Sequence, residues 1–443
     1  VGSIPGLTAT MAVALLIPLT FYLDNLSAIA AIVTLEACSI FAGDIPTTLV
    51  RIPGTPSSAA YTDDAYSLTR RGLHETSLGV SLVFSVAGGL FGALVLILAA
   101  PQLAKIAFEF TTYEYFWLYV LGLSCAAIVS TGSRLKGALA LMIGLMFATV
   151  GLSEVHSVPR FTFGFDELFT GINFVPAMIG LFGLSEVFRN TLTSKTDEET
   201  EKLKSALPVE VDKSWFKHAW ISYAVSKKCS KTPEEYGKGS LDAVGDATSA
   251  NNSALAGAWI PALVLGIPGD SVTAIVIGVL LMKNITPGPG IFENSDQLVL
   301  VHGIYLTFII ANLLLIPLGF LAIRSGAQLV RIPRRILMPL ILMFCVVGSY
   351  SINGSYFDVW VMLGMGILGF ILEVFAIPLG PVVLGIILGG QLEQSFVQNL
   401  SKDDSILSFF NRPISAALGI FCIALWLVPL IMPLLRKKWS TPA

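Results

Sequence analysis

Charge is scarce in this chain: Asp, Glu, Lys and Arg make up 13% of its 443 residues, roughly half the share found in soluble domains. So few charged groups cannot cover a fully water-facing surface. With 54% hydrophobic residues and a mean hydropathy of +0.76, the composition defines a polytopic membrane protein. The four histidines (His74, His156, His218, His302) are isolated and form no ligand pattern. The five cysteines (Cys38, Cys125, Cys229, Cys345, Cys422) show neither paired nor metal-ligand spacing, so they read as small packing residues. No HExxH, GxSxG or nucleotide loop occurs, and no enzyme is indicated. The 27 basic and 30 acidic residues leave no basic excess of the kind that marks nucleic-acid binding.

Apolar runs dominate instead. Leu78–Ala100, Tyr115–Gly132, Gln297–Ala322, Ile336–Phe357 and Ile414–Leu435 are long enough to cross a bilayer. Gly137–Ser153 and Val359–Leu372 are expected as shorter spans. The chain opens at Val1 directly against an apolar run from Ala9 to Leu23, so a further helix is expected ahead of it. Between Arg189 and Lys217 the composition changes: 12 of 29 residues are charged. The expected organisation is a first transmembrane repeat over 1–188, a charged cytoplasmic linker over 189–218, a second repeat over 219–406 and a C-terminal transmembrane helix over 407–443.

The repeat shows in one frame. Residues 45–54 read IPTTLVRIPG and residues 260–269 read IPALVLGIPG, 215 positions apart. PAMIG at 176–180 and PVVLG at 381–385 echo it more weakly. Basic residues give the orientation. Arg70 and Arg71 follow the first frame, where the second has only Lys283. One span later APQLAKIAFEF is nearly free of basic residues, whereas the second half carries Arg324, Arg331, Arg334 and Arg335. The next loops reverse again, Arg134 and Lys136 against none in GSYSINGSYFD. Opposite alternation in the two halves is the signature of an inverted-topology repeat, the architecture of many secondary transporters. The same rule places the linker, Lys227–Lys231 and Arg436–Lys438 in the cytoplasm.

Each frame sets two prolines and a glycine in an apolar stretch, followed by polar or small residues. Non-helical backbone survives at membrane depth only where protein or water lines it. Such breaks expose helix N-terminal amides, which favour carboxylates, and carbonyls, which suit Na⁺. Taken alone, either break could be a kink in a packed helix; the matched pair favours re-entrant or broken helices meeting at one midplane anion site. Its expected core is Gly54, Thr55, Ser57 and Ser58 with Gly269, Asp270, Ser271 and Thr273. A third break, SIPGLTATM at 3–11, adds Thr8 and Thr10. Asn251 and Asn252 offer uncharged donors and acceptors, helix capping being the plainer role. Arg51 is open between pairing with Asp44, binding a substrate carboxylate and lying at an interface. Asp270, with no basic neighbour in sequence, is the candidate for Na⁺ ligation or protonation; Glu36 and Glu373 are weaker ones. An intramembrane aspartyl enzyme pairing Asp270 with Asp44, Asp63 or Asp64 lacks a tightly specified motif.

Four stretches then become familiar: GSIPGLTATMAVALLIPLTFYLD, GDIPTTLVRIPGTPSSAAYTDDAYSLTRRG, AWISYAVSKKCSKTPEEYGKG and SANNSALAGAWIPALVLGIPGDSVTAIVIGVLLMKNITPGP. Together they resemble the large membrane subunit of the tripartite tricarboxylate transporters, the TctA-like family. The resemblance implies a multi-pass protein of the bacterial inner membrane that carries di- or tricarboxylates, and the inverted repeat implies alternating access around the site. It also implies a small transmembrane subunit, a periplasmic solute-binding protein and a coupling cation, Na⁺ or H⁺, with no other cofactor. A stand-alone cation-coupled carboxylate carrier is the alternative. The sequence departs from the family in two places. The family has a helix ahead of the segment that starts here at Val1. It also has a second-half Pro-Gly tip before AWISYAV, where this chain runs from Lys217-His218 straight into Ala219.

Overall fold

A backbone surrounded by lipid tails must satisfy its hydrogen bonds within its own segment, and this chain does so with helices almost throughout. The computed structural model describes residues 9–55, 57–129, 133–153, 158–192, 217–329, 334–403 and 405–439. In chain order the helices are α1 (Ala9–Phe21), α2 (Asn25–Val50), α3 (Thr62–Arg70), α4 (His74–Ala107), α5 (Thr112–Val129) and α6 (Arg134–Ala148). After them come α7 (Phe174–Met178), a π-helical turn over Ile179–Leu184, α8 (Ser185–Leu192), α9 (Lys217–Cys229), α10 (Leu241–Leu265) and α11 (Ser271–Met282). The last five are α12 (Ser295–Leu329), α13 (Arg334–Asn353), α14 (Tyr356–Val374), α15 (Leu379–Lys402) and α16 (Pro413–Trp439). The one sheet among the described residues is a minimal antiparallel hairpin, β1 (Gly151–Leu152) with β2 (Pro159–Arg160).

Among the described residues, four helical segments are long and apolar enough to cross a membrane: Asn25–Val50, His74–Ala107, Ser295–Ser325 and Tyr356–Val374. The helices Ala9–Phe21 and Ser271–Met282 are apolar but shorter. The spanning helices are hydrophobic around their whole circumference, and they expose large side chains such as Phe91, Leu98 and Leu321 that water would penalise and lipid accepts. Two expected spans end early. The run Gly137–Ser153 is helical only to Ala148, because Gly151 takes a left-handed φ of 115° and opens β1. The run Ile336–Phe357 stops at Asn353, where Gly354 has φ 63° and the Ser355 side chain caps α14 through the Phe357 N–H.

Contacts divide the chain into two compact units, Val1–Lys105 with Asn173–Leu379, and Ile106–Ile172 with Gly380–Ala443. In the first, α2 packs most extensively on α12, and α14 packs on the π-helical turn. Its core includes Phe41, Leu82, Val86 and Leu315, with Trp259 edge-on to Phe308 at 5.5 Å. In the second unit, Trp117, Phe409 and Cys422 form the buried centre, and the Trp117 indole N–H donates to the Phe409 carbonyl at 2.9 Å. Arg160 grips Glu393 with both guanidinium nitrogens, at 2.8 and 2.9 Å. All five cysteines are free thiols.

In lipid the contact between helices comes from close backbone approach at small residues. Gly144 of α6 is the tightest such point in the second unit: a Cβ there would lie 2.1 Å from the Val382 carbonyl oxygen. Gly144→Ala is therefore expected to destabilise by about 2 kcal/mol through overpacking against unyielding backbone. Gly79→Ala, with nothing within 4 Å, should be neutral or slightly stabilising. Thermal unfolding in detergent, followed by the loss of the monodisperse chromatographic peak, checks both.

Candidate functional site

The two proline-glycine frames fold identically, position for position. Ile52 and Ile267 precede prolines and so cannot stay helical; each helix ends two residues earlier, at Val50 and Leu265. Arg51 closes α2 at φ 59°, ψ 28° and Gly266 closes α10 at φ 67°, ψ 21°. In each frame the N–H of this left-handed residue bonds the carbonyl of the frame's first proline, Pro46 or Pro261. The next amides, Ile52 and Ile267, reach the same carbonyls at 3.4 and 3.2 Å. Pro46 and Pro261 themselves sit inside their helices, so the break lies later than the first proline.

Each tip then folds back onto the helix it leaves. A Cβ on Gly54 would fall 2.2 Å from the Gly43 carbonyl oxygen, and a Cβ on Gly269 2.8 Å from the Cα of Ala258. Gly43 and Ala258 are themselves 215 positions apart. This close approach explains why glycine ends both frames.

The polar residues after each break close a reciprocal capping box. In the second tip the Thr273 N–H donates to Asp270 Oδ1 at 2.7 Å, and the Asp270 N–H donates to Thr273 Oγ1 at 2.9 Å. In the first, the Ser58 N–H donates to Thr55 Oγ1 at 3.2 Å and the Thr55 N–H to Ser58 Oγ at 3.1 Å. The caps serve α11 and the 3₁₀ turn Ser57–Ala60. The first tip has an extra brace: Thr47 Oγ1 accepts the Gly54 N–H at 3.1 Å and donates to the Gly43 carbonyl at 2.7 Å.

Several expected site residues meet. Thr10 at the start of α1 shares a hydrogen bond with Ser271 at 3.0 Å, and Asn251 Nδ2 approaches Thr55 Oγ1 at 3.4 Å. Ala258, against the second tip, and Asn251, against the first, are seven residues apart on α10, or about 10 Å of helix rise. Asp270 and Gly269 are exposed, Thr55 and Gly54 half-buried, and Ser57 buried. Asn252 turns elsewhere, donating to the Ser85 carbonyl at 2.6 Å and Asn312 Oδ1 at 3.2 Å. Thr8 lies outside the described residues.

Arg51 does not pair with Asp44. It donates through Nε and Nη2 to Asp63 Oδ1 at 3.1 and 2.8 Å, because its left-handed position beyond the end of α2 carries its side chain to α3. Asp44, buried on α2, instead accepts the hydroxyls of Tyr61 and Ser81. Asp64, also buried, accepts the N–H groups of Gly237, Gly239 and Ser240 at 2.8, 2.9 and 2.9 Å, and the Tyr223 hydroxyl at 2.9 Å. Arg71 adds a bond to the Lys238 carbonyl at 2.6 Å. Both ends of α3, Asp64 in its first turn and Arg71 just past its last, are thereby fastened to the elements that precede α10. At the end of α11, Lys283 reaches the Phe21 carbonyl at 3.3 Å and the Leu23 carbonyl at 2.5 Å, beside the start of α2. There the bonds from Ser27 to the Asp24 carboxylate, which caps α2, hold that group below its usual range.

Thr47, Tyr61 and Ser81 were not singled out by the sequence, and Asp44 was named only as a partner for Arg51 or Asp270. The adjacent threonines in IPTTL were the one available signal, two hydroxyls in an apolar run.

An apolar, multi-helix chain with helices long enough to cross a bilayer defines the class: a multi-pass membrane protein. The sequence profile of the tripartite tricarboxylate transporter TctA family matches residues 1–218 and 215–384, and the chain belongs to that family. It is 34% identical, over 97% of its own length and 91% of the relative's, to an uncharacterized 52.8 kDa protein in the TAR-I ttuC′ 3′ region of Agrobacterium vitis. It is 38% identical, over 48% of its length and 89% of the relative's, to an uncharacterized protein in the TAR-II ttuC′ 3′ region of the same organism. No solved structure matches.

The capping boxes allow structure and charge to be separated. Asp270→Asn keeps a competent N-cap and is expected to leave stability within a few tenths of a kcal/mol, whereas Asp270→Ala and Thr55→Ala should each cost about 1 kcal/mol. Parallel thermal melts of the purified variants in one detergent measure this order.

Proposed function

We propose that this chain is the large transmembrane subunit of a binding-protein-dependent secondary transporter that imports di- or tricarboxylates across the bacterial inner membrane. Substrate binds at the two proline-glycine tips, and the halves expose that site alternately. The observation that carries the reading is the residue-for-residue match of the tips: the same left-handed closure, glycine contact and capping box, 215 positions apart.

The cap side chains hold the tips in shape, while the first-turn amides of the following helix favour a carboxylate. Gly54, Thr55, Ser57 and Ser58 face this task from one tip and Gly269, Ser271 and Thr273 from the other. Thr10, Asn251 and Arg51 are assigned to the surrounding wall. Exposure of Gly269 and Asp270 amid apolar helices supports a tip that faces a water-filled space rather than lipid. Asp270 uses Oδ1 for its cap, which leaves Oδ2 for a coupling cation, Na⁺ in the first instance or H⁺. Two contacts support inverted repeats: Arg71, just past the end of α3, bonds the Lys238 carbonyl ahead of α10, and Lys283, just past the end of α11, bonds the Leu23 carbonyl ahead of α2. Two broken hairpins running antiparallel make that pair of contacts. A small transmembrane subunit and a periplasmic solute-binding protein complete the system in this reading.

The test is uptake of labelled di- and tricarboxylates into proteoliposomes holding all three components under an imposed Na⁺ gradient. Wild type should accumulate substrate, and Asp270→Asn and Ser57→Ala should each lower uptake by about tenfold, the loss of one charged or well-aligned hydrogen-bonding contact. Normal uptake in both variants would reduce the tips to structural kinks.

A further inference from the structure

Asp44 is the fully buried acid for which the tips themselves have no use. It lies on α2 beside Gly43, the residue onto which Gly54 folds, with 0% exposure. Its Oδ1 accepts the Tyr61 hydroxyl and its Oδ2 the Ser81 hydroxyl. Tyr61 directly follows the first tip's 3₁₀ turn, and Ser81 belongs to α4. The carboxyl therefore ties that tip to a long spanning helix, and neither tie carries a positive charge.

We propose that Asp44 carries a proton in the transport cycle. A buried carboxylate without a cationic partner is costly in an apolar interior, and such groups in membrane helices serve as proton relays or pair with another charge. A hard metal cation collects about six oxygen ligands, whereas here two hydroxyls already occupy both carboxyl oxygens. Protonation also has a mechanical consequence. The ionised group accepts from both hydroxyls; the protonated group must donate through one oxygen, so one of its two ties reverses or breaks. Proton uptake from the periplasm and release to the cytoplasm would thus loosen and refasten the first tip.

The surroundings leave Asp44 apart from other charges. On α3, Asp63 is paired with Arg51 and Asp64 with the 237–240 amides; Tyr66 lies beneath Arg51, and Arg70 ends the helix. Glu36, two turns earlier on α2, accepts the Trp259 indole N–H at 3.2 Å. From α12, His302 bonds the Leu298 carbonyl; that helix also carries Asp296, Tyr305 and Arg324. Facing residues of α10 include Asp242 and Asp246 near its start, and α4 carries His74 and Glu75 in its first turn and Lys105 in its last. The helices α1 and α11 bring no titratable side chain. Tyr61 is the titratable group in contact.

The proposal rests on the transport reading above, and the experiment separates the two. Proteoliposomes with the complete three-component system and an internal pH dye are given tricarboxylate outside, and acidification is read beside labelled uptake and equilibrium exchange. Wild type should acidify with uptake; Asp44→Asn should lose acidification and pH-driven accumulation while retaining equilibrium exchange, which needs no net proton movement. Tyr61→Phe, which keeps the acid, should acidify with a shifted pH profile. Equal acidification in Asp44→Asn, or wild-type uptake without acidification, overturns the proposal and leaves the transporter standing. Infrared titration of the purified complex decides independently of transport: a protonated-carboxyl band that responds to pH and is missing from Asp44→Asn supports the proposal, and identical spectra overturn it, even if no carboxylate moves at all.

Discussion

The architecture depends on how a break in a buried helix keeps its backbone polar groups paired. Ending a helix in apolar surroundings strands carbonyls on one side and amides on the other, at several kcal/mol each if left alone. Here both sides are settled within about ten residues. A left-handed residue returns two N–H groups to the frame's first proline carbonyl, and a capping box takes the amides of the next turn. Because the tip is satisfied by its own side chains, it can stand where no neighbouring helix supplies partners.

This self-sufficiency recasts the polar residues after each Pro-Gly. Thr55, Ser58, Asp270 and Thr273 all hold the tip in shape. The two copies share backbone geometry more closely than chemistry. Arg51 stands where the other copy has Gly266, Asp44 where it has Trp259, and Glu36 where it has Asn251. Sterics impose one turn on both copies, whereas each copy carries its own charged groups.

The membrane class and the position of both matched turns were legible in the sequence because each follows from local chemistry. Apolar runs need lipid, prolines forbid helix at the residue before them, and glycine permits contacts that a Cβ would block. The span expected over Ile336–Phe357 was too long for a similarly local reason: Gly354 is apolar on a hydropathy scale yet takes a left-handed φ that ends α13. Arg51 was compatible with several partners by spacing, and its choice of Asp63 depended on the direction in which α3 leaves the turn.

What the sequence determined by itself is a multi-helix membrane chain with two matched proline-glycine frames, since hydrophobicity and backbone permission are properties of short stretches. Only the tertiary structure decided the partnerships. Asp44 meets Ser81 across 37 positions, Thr10 meets Ser271 across 261, and Asp64 fastens one hairpin to the start of the other. The physical reason is that a buried polar group takes whichever donor the packing of separate helices brings within about 3 Å, and no pattern along the chain encodes that distance.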